Sequence, residues 1–312
     1  MPDAARTEAD PPPGEPRAAG RRVAGSPSVP TSGGAANGGP PATAPAPGRP
    51  KRHPGMDDLR RHLIASGLAG SVATPPAATL ANCVKLVAGH PDYTFGLDDW
   101  RDATVLDAVA ATRALCGGDP GGARQDGPGH IDADLAVAGI VTHRDRLRAF
   151  VQGGGGRVLL ATGHPTGLLA HYATVARVLQ GAGSELLAPL DDIRLPRSHD
   201  APAGPARGIR FLDGVACVWN GGDLLHTHRS RYMEAMLDEL GGGPGVVDLV
   251  VADHGMAGAA IARGLSTLSI ADVNDPALPL AQVHGRTDAV LGIDDNLAPR
   301  LFLPVTQAML TW

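Results

Sequence analysis

The sequence predicts an α/β protein, a doubly wound and mostly parallel sheet with a helical N-terminal subdomain. Three observations carry this. Short, continuous apolar runs recur after Gly156: "RVLLA", "DLVVA", "TLSIA" and "AVLGI". Runs of this kind suit strands covered on both faces, as parallel sheets are. Most are succeeded by a helical pattern, as in "TGLLAHYATVARVLQG" and "HGMAGAAIARG", and strands alternating with helices give parallel crossovers. Before Gly156 the period is helical almost throughout.

The elements run in order. "DDLRRHLIASGLAG" opens with an acidic first turn and has helical spacing at Leu59, Leu63 and Ile64. "ATPPAATLANCVKLVAG" predicts a proline-initiated helix. A short aromatic segment, "DYTFGL", precedes a helix from about Asp98 to Cys116. "GGDPGGARQDGPGHI" reads as a loop, and "DADLAVAGIVTHRDRLRAFVQGG" as a further helix. Beyond Gly156 come a strand at "RVLLAT", a helix over about 167–181, and a strand at "SELLAPL". "GIRFLDGVACVWNGGDLLHTH" predicts a hairpin or two short strands, and "SRYMEAMLDELGGG" an amphipathic helix stopped by glycine. Strand–turn–helix at "VVDLVVADHGMAGAAIARGL" leads to a strand and irregular segment at "STLSIADVNDPALPLAQVHGR". A last strand, a turn and a terminal helix begin at Asp288. The predicted organisation is a tail over 1–55, a helical subdomain over 56–156 and an α/β catalytic domain over 157–312, the last two forming one unit.

The tail is Pro, Gly, Ala and Ser with scattered Arg, and lacks the large apolar side chains that would offset the entropy of ordering it, so it is expected to be disordered. It carries seven Lys or Arg against four Asp or Glu, whereas 56–312 carries 20 against 28. An acidic body is a poor nucleic-acid surface but is compatible with a phosphate substrate when cations stand between. Cys83, Cys116 and Cys217 form no CxxC pair and read as reduced, buried residues. There is no membrane-spanning apolar run and no signal-peptide core, so a cytoplasmic protein is expected. Oligomeric state is not readable.

The polar residues after each apolar run are more informative. After "RVLLA" comes Thr162-Gly163-His164-Pro165-Thr166-Gly167, after "DLVVA" Asp253-His254-Gly255, after "TLSIA" Asp272-Val273-Asn274-Asp275, and after "AVLGI" Asp294-Asp295-Asn296. In a parallel sheet all four clusters come to one edge, where ligands bind. Each acid taken singly is an ordinary helix N-cap or turn residue. Taken together, crowded carboxylates must protonate or meet a cation, and oxygen ligands of this kind suit Mg²⁺ or Mn²⁺. Asp253, Asp272, Asp275 and Asp294 are therefore the candidate metal ligands. The "TGHPTG" turn opens a helix, so Thr162, Gly163, Thr166 and Gly167 are expected to cradle an anion, joined by Asn274 and Asn296. His226 and His228 of "LLHTH" lie two apart and would share a face of a strand, as substrate-binding residues. His164, His254 and Asp272 are the candidate catalytic residues, for proton transfer.

Together "LLATGHPTGLLAHYATVARVL", "LLHTH", "DLVVADHGMAGAA", "IADVNDPAL" and "IDDNLAP", with "VATP" and "DYTFGL" nearer the start, resemble a family of actinobacterial phosphatases of uncharacterised substrate. The resemblance runs from about Met56 to Trp312 and implies a cytosolic phosphatase; it supplies no catalytic residue list. "LLATG" and its helix are also similar to D-glutamate cyclase-like proteins. The leading expectation is a metal-assisted phosphatase acting on a small phosphorylated metabolite. The alternatives are a lyase or hydro-lyase on a small carboxylic acid, and a non-catalytic nucleotide or metabolite sensor. "DVND" lacks the DxDx[TV] pattern of an aspartyl-nucleophile phosphatase, and GxSxG is absent.

Overall fold

A computed structural model describes residues 54–196, 206–242 and 244–312. The expected tail lies outside the described residues, except for Pro54 and Gly55, which open the first helix.

Helices α1 (Pro54–Ser66), α2 (Pro76–Val87), α3 (Pro91–Thr94), α4 (Val105–Cys116) and α5 (Ala133–Gln152) make up most of the N-terminal third. Their ends obey local chemistry. Pro76 occupies the first turn of α2, where a missing N–H costs nothing. Thr104 and Asp107 form a reciprocal capping box on α4, and Gly117 closes it in the left-handed conformation. Asp132 accepts from the backbone N–H of Asp134 and Leu135 to start α5. Two expectations need correction here. The helix expected from Asp98 begins as a 3₁₀ turn at Asp99–Asp102 and becomes α-helical only at Val105. The region also holds strands: β1 (Gly70–Val72) pairs antiparallel with β2 (Gly129–Ile131). Three-residue strands are too short to leave a period in the sequence.

The remaining elements are β3 (Arg157–Thr162), α6 (Pro165–Gly181), β4 (Glu185–Leu186), β5 (Gly208–Leu212), β6 (Val215–Trp219), β7 (Leu224–Leu225), α7 (Arg231–Glu239), β8 (Leu249–Asp253), α8 (His254–Ala262), β9 (Thr267–Ala271), α9 (Ala277–Val283), β10 (Val290–Gly292) and α10 (Leu303–Leu310). Helix α6 starts two residues earlier than its expected bound, with Pro165 at its first position. The segment expected to be irregular after β9 contains α9.

The main sheet has the order β10-β9-β8-β3-β6-β5, with β4 beside β3 and β7 beside β6. All pairs from β10 to β6 are parallel, as is β3 with β4; β5 and β7 pair antiparallel with β6. After β3 the chain moves to the β4 and β6 side, then crosses back to β8 and continues outward to β10. The sheet is therefore doubly wound, as expected, and its winding direction reverses between β3 and β8. A crevice opens beyond the carboxyl ends of strands at such a reversal.

Alternate strand residues face opposite layers. Val158 and Leu160 of β3 pack with Leu63 of α1, Ile140 of α5, Tyr172 of α6 and Val305 of α10. Leu159 and Ala161 pack with Cys83 of α2, Ala108 of α4, Met236 of α7, Ala260 of α8 and Leu278 of α9. The N-terminal helices thus cover both faces of the sheet. All three cysteines are free and buried, and no described helix is long and apolar enough to cross a membrane.

Two core histidines give the fold an acid-sensitive term. Burial lowers His143 to about 4, and burial, then the neighbouring His143, lowers His171 to about 3. Both rings stay neutral in the folded chain, with His143 Nε2 on the Ala289 carbonyl at 2.9 Å and His171 Nδ1 on Thr306 Oγ1 at 2.7 Å. Below about pH 6.5 the unfolded chain binds protons that the folded one refuses, so their contribution to stability is full above that pH and is lost as pH falls toward 4. His143→Gln is expected to flatten the fall of stability between pH 6.5 and 5 relative to wild type, by on the order of 2 kcal/mol at pH 5, read as Tm against pH. Parallel Tm-against-pH curves would refute this assignment.

Candidate active site

The carboxyl ends of β8, β9 and β10 bring five aspartates together, beside the turn that follows β3. Asp253, Asp272, Asp275, Asp294 and Asp295 are all at most 4 % exposed. Among the described residues, none of the five makes an ion pair with lysine or arginine.

Some are held by their own strand-end loop and others by a neighbouring one. Asp253 occupies the N-cap position of α8 but does not cap it. Its carboxylate instead accepts the Thr162 hydroxyl at 2.7 Å and the Gly163 N–H. Thr162 Oγ1 in turn accepts the His164 N–H at 2.9 Å. Asp272 Oδ1 accepts the Val273 N–H at 2.7 Å, and Asp275 Oδ2 accepts the Asp272 N–H at 3.0 Å. Thr74, from the loop after β1, donates to Asp272 Oδ2 at 3.3 Å. Asp294 Oδ1 accepts the Asn296 N–H at 3.0 Å. Asp295 approaches two histidines: its oxygens lie 3.2 Å from His164 Nδ1 and 3.4 Å from His254 Nε2. His254 Nε2 is also 3.4 Å from Asp275 Oδ2.

Four imidazoles form the other half. His226 stacks on His164 with ring centroids 4.5 Å apart, and His228 stacks on His254 at the same separation. The His226 and His228 Nε2 atoms are 3.1 Å apart. Both residues come just after the two-residue β7 in chain order, and both rings reach the cluster. His254 takes φ 46°, a left-handed conformation that costs a side-chain-bearing residue about 1–2 kcal/mol.

Glycines allow these loops to meet. A Cβ on Gly163 would run into the Thr227 carbonyl, and one on Gly167 into the Asp295 carbonyl. Two close backbone approaches therefore lock the "TGHPTG" turn against the segment carrying His226 and His228 on one side and the β10 loop on the other.

The electrostatics oppose charge of either sign. Burial raises Asp253 to about 6, against the pull of its hydrogen bonds from Gly163 and Thr162. Burial first, then Asp295, Asp275 and Asp294, hold Asp272 well above the usual carboxylate range. Asp295 is raised in the same way, by burial and then by Asp275, Asp253 and Asp294. Burial also raises Asp275 and Asp294. His254 is driven well below its ordinary value by burial and then by His228, His226 and His164, and His226 falls to about 4 by burial and then by His164 and His228. A divalent cation among these groups would reverse the carboxylate shifts and keep the imidazoles as neutral donors. Ligand atoms of His164, His226 and His254 lie within 4.8 Å of one another; so do those of His228, His254 and Asp275, of Asp253, His254 and Asp295, and of Asp272, Asp294 and Asp295.

Not every expected residue joins this cluster as expected. The Thr162 hydroxyl and Gly163 N–H are already spent on Asp253, so the turn secures a carboxylate where an anion cradle was expected. Thr166 is exposed on the first turn of α6. Asn296 is exposed and serves through its backbone N–H, while the Asn274 carbonyl accepts from Asn82 Nδ2 at 3.0 Å. Asp192, which also comes after a strand, pairs with exposed Arg210 at 2.8 Å, and neither belongs to the cluster. Asp295 is absent from the expected ligand set, although its signal is present in the pair at 294–295. Thr74 of "VATP" and Phe95 of "DYTFGL", the latter edge-on against His254 at 5.5 Å, lie in segments that carry the resemblance, but neither is given a place at the site by the sequence.

A family model described as Phosphatase matches residues 54–312. The chain belongs to the Phosphatase family. A relative named Phosphatase SCO2771, from Streptomyces coelicolor (strain ATCC BAA-471 / A3(2) / M145), is 37 % identical over 273 residues, which cover 86 % of this chain and 98 % of that protein. No solved structure matches. Membership in the Phosphatase family makes the chain a hydrolase and weighs against the lyase and sensor readings. The family match spans every strand end that contributes to the site.

Proposed function

We propose that this chain is a metal-assisted phosphomonoesterase acting on a small phosphorylated metabolite. The observation that carries this reading is the convergence of five buried aspartates, without lysine or arginine partners among the described residues, on the strand edge that also gathers four imidazoles. Left to itself such a group must protonate; with divalent cations it becomes a site for a phosphate dianion. Asp253, Asp272, Asp275 and Asp294 are the proposed ligands, and the geometry adds Asp295. A divalent cation held there supplies Lewis-acid stabilisation of the phosphoryl oxygens and acidifies an attacking water.

The chain's own residues divide the remaining work. Thr162, the Gly163 N–H and Thr74 orient Asp253 and Asp272, so the ligands are organised before substrate arrives. His226 is the exposed imidazole of the four, and its lowered pKa keeps it neutral at pH 7, so its ring offers a lone pair at the outer edge of the cluster. His164 and His254 lie beneath it, each beside Asp295. Burial of the carboxylates supports a small substrate, whose phosphate can enter where a protein surface cannot.

The test is phosphate release from a panel of phosphorylated metabolites, with and without EDTA. Turnover of at least one phosphomonoester is expected, with a loss of about 10³-fold on chelation and recovery with Mn²⁺ or Mg²⁺. Turnover undiminished by chelation would remove the metal from the mechanism.

A further inference from the structure

We propose that the site holds two unlike metal positions: an imidazole-containing position centred on His254, suited to a transition-metal ion such as Zn²⁺, Fe²⁺ or Mn²⁺, and an all-carboxylate position of Asp272, Asp294 and Asp295, suited to Mg²⁺ or Mn²⁺. This deepens the proposed function and rests on its reading of the strand edge as a metal site.

The donor chemistry is divided in space. Three of the four close groupings of ligand atoms contain His254; the fourth, Asp272 with Asp294 and Asp295, is oxygen alone. Asp295 is the residue common to the all-oxygen group and a His254 group, so the two positions adjoin through its carboxylate. Imidazole nitrogen suits Zn²⁺ and Fe²⁺, and Mn²⁺, at home with oxygen, also accepts it, whereas Mg²⁺ takes oxygen and retains water. A purely Mg²⁺ site would leave four converging imidazoles without a role.

Two further observations point to a ligand at the His254 position. His164 Nδ1, His254 Nδ1 and Asp295 Oδ2 are buried polar atoms without a hydrogen-bond partner, on residues at most 5 % exposed. His164 and Asp295 approach to 3.2 Å, but without the alignment of a hydrogen bond. Orphaned atoms of this kind are costly unless something else meets them. In addition, His228 Nδ1 sits 2.9 Å from the Asp92 carbonyl, which can only accept. The proton is thereby fixed on Nδ1, and the Nε2 lone pair is turned toward His226 and the cluster. A backbone carbonyl fixing one ring nitrogen while the other faces the site is the usual support for a ligating histidine.

The test reads metal rather than turnover. The full chain is stripped with chelator, equilibrated with Mn²⁺ alone or with Mn²⁺ and excess Mg²⁺, and measured for metal content and by pulsed electron paramagnetic resonance. About two Mn²⁺ ions per chain are expected without Mg²⁺, falling to about one in its presence, and the retained ion should show ¹⁴N modulation from imidazole. His226→Ala, at an exposed position, should weaken that nitrogen-coupled ion by about tenfold or more, with the circular dichroism spectrum unchanged. Asp272→Asn combined with Asp294→Asn should abolish the Mg²⁺-exchangeable ion and keep the nitrogen-coupled one. A single class of Mn²⁺ displaced completely by Mg²⁺, or bound Mn²⁺ without ¹⁴N modulation, would overturn the assignment. The expected metal pattern without phosphate release from any ester would sink the phosphatase chemistry and leave the two positions standing.

Discussion

Asp295→Asn is expected to lower kcat by about 10²–10³-fold while the metal-free chain stays at least as stable as wild type. Asp295 is the carboxylate that faces both His164 and His254 and also belongs with Asp272 and Asp294. Without a cation its negative charge is a liability, because burial and three neighbouring aspartates all oppose it. Asparagine keeps the shape and removes that repulsion. For a chain of this size a gain of about 1 kcal/mol raises Tm by roughly 2–4 °C. Added Mn²⁺ is expected to reverse the order: wild type should gain RT ln(1 + [L]/Kd), which is about 2.7 kcal/mol at a hundredfold excess over Kd, and the variant less, because a proposed ligand is missing. Thermal melts with and without Mn²⁺, paired with steady-state phosphate release, read both halves. An Asn variant within threefold of wild-type kcat would remove Asp295 from the site.

Gly163→Ala is expected to cost about 10²-fold in activity, through position rather than chemistry. Its new methyl would collide with the Thr227 carbonyl and press against the His254 Cβ and Nδ1, each 3.2 Å away. Thr227 cannot simply withdraw, since its N–H donates to the Gly163 carbonyl at 2.8 Å. Displacing that segment moves His226 and His228 together, and the Gly163 N–H that holds Asp253 moves with the turn. Overpacking of this kind costs about 1–3 kcal/mol, a fall in Tm of roughly 2–12 °C. Gly181→Ala is the control: it lies in α6 with nothing within 4 Å of the added Cβ. It should leave activity unchanged. Equal activity in both variants would show that the contact at Thr227 does not hold the histidines in place.

Much of the site is legible because strand ends in a parallel sheet share an edge. Asp253, Asp272, Asp275 and Asp294 each come after an apolar run, and that placement alone predicts their meeting. The histidines of "LLHTH" are legible as a pair, but their stacking against His164 and His254 is not, since it depends on the close approach at Gly163. The role of "TGHPTG" is ambiguous for a related reason. Glycine and threonine at a helix start serve an anion or a neighbouring carboxylate equally well in sequence, and only the pairing of β3 with β8 places Asp253 within reach. Asp295 escapes a sequence reading because adjacent residues normally face apart. Here both reach Asp272, and Asp295 also lies beside the imidazoles.

The sequence by itself determined the alternation of apolar strands with helices, the edge on which the acids gather, and their residue types. These are local properties, readable wherever hydrophobic period and polar punctuation are strong. Tertiary structure alone decided which acids are buried, which loops interlock and which donors each carboxylate keeps. Those outcomes depend on contacts between segments far apart in the chain, such as Thr74 with Asp272 and Gly167 with the Asp295 loop, and no local pattern encodes a distance across the fold.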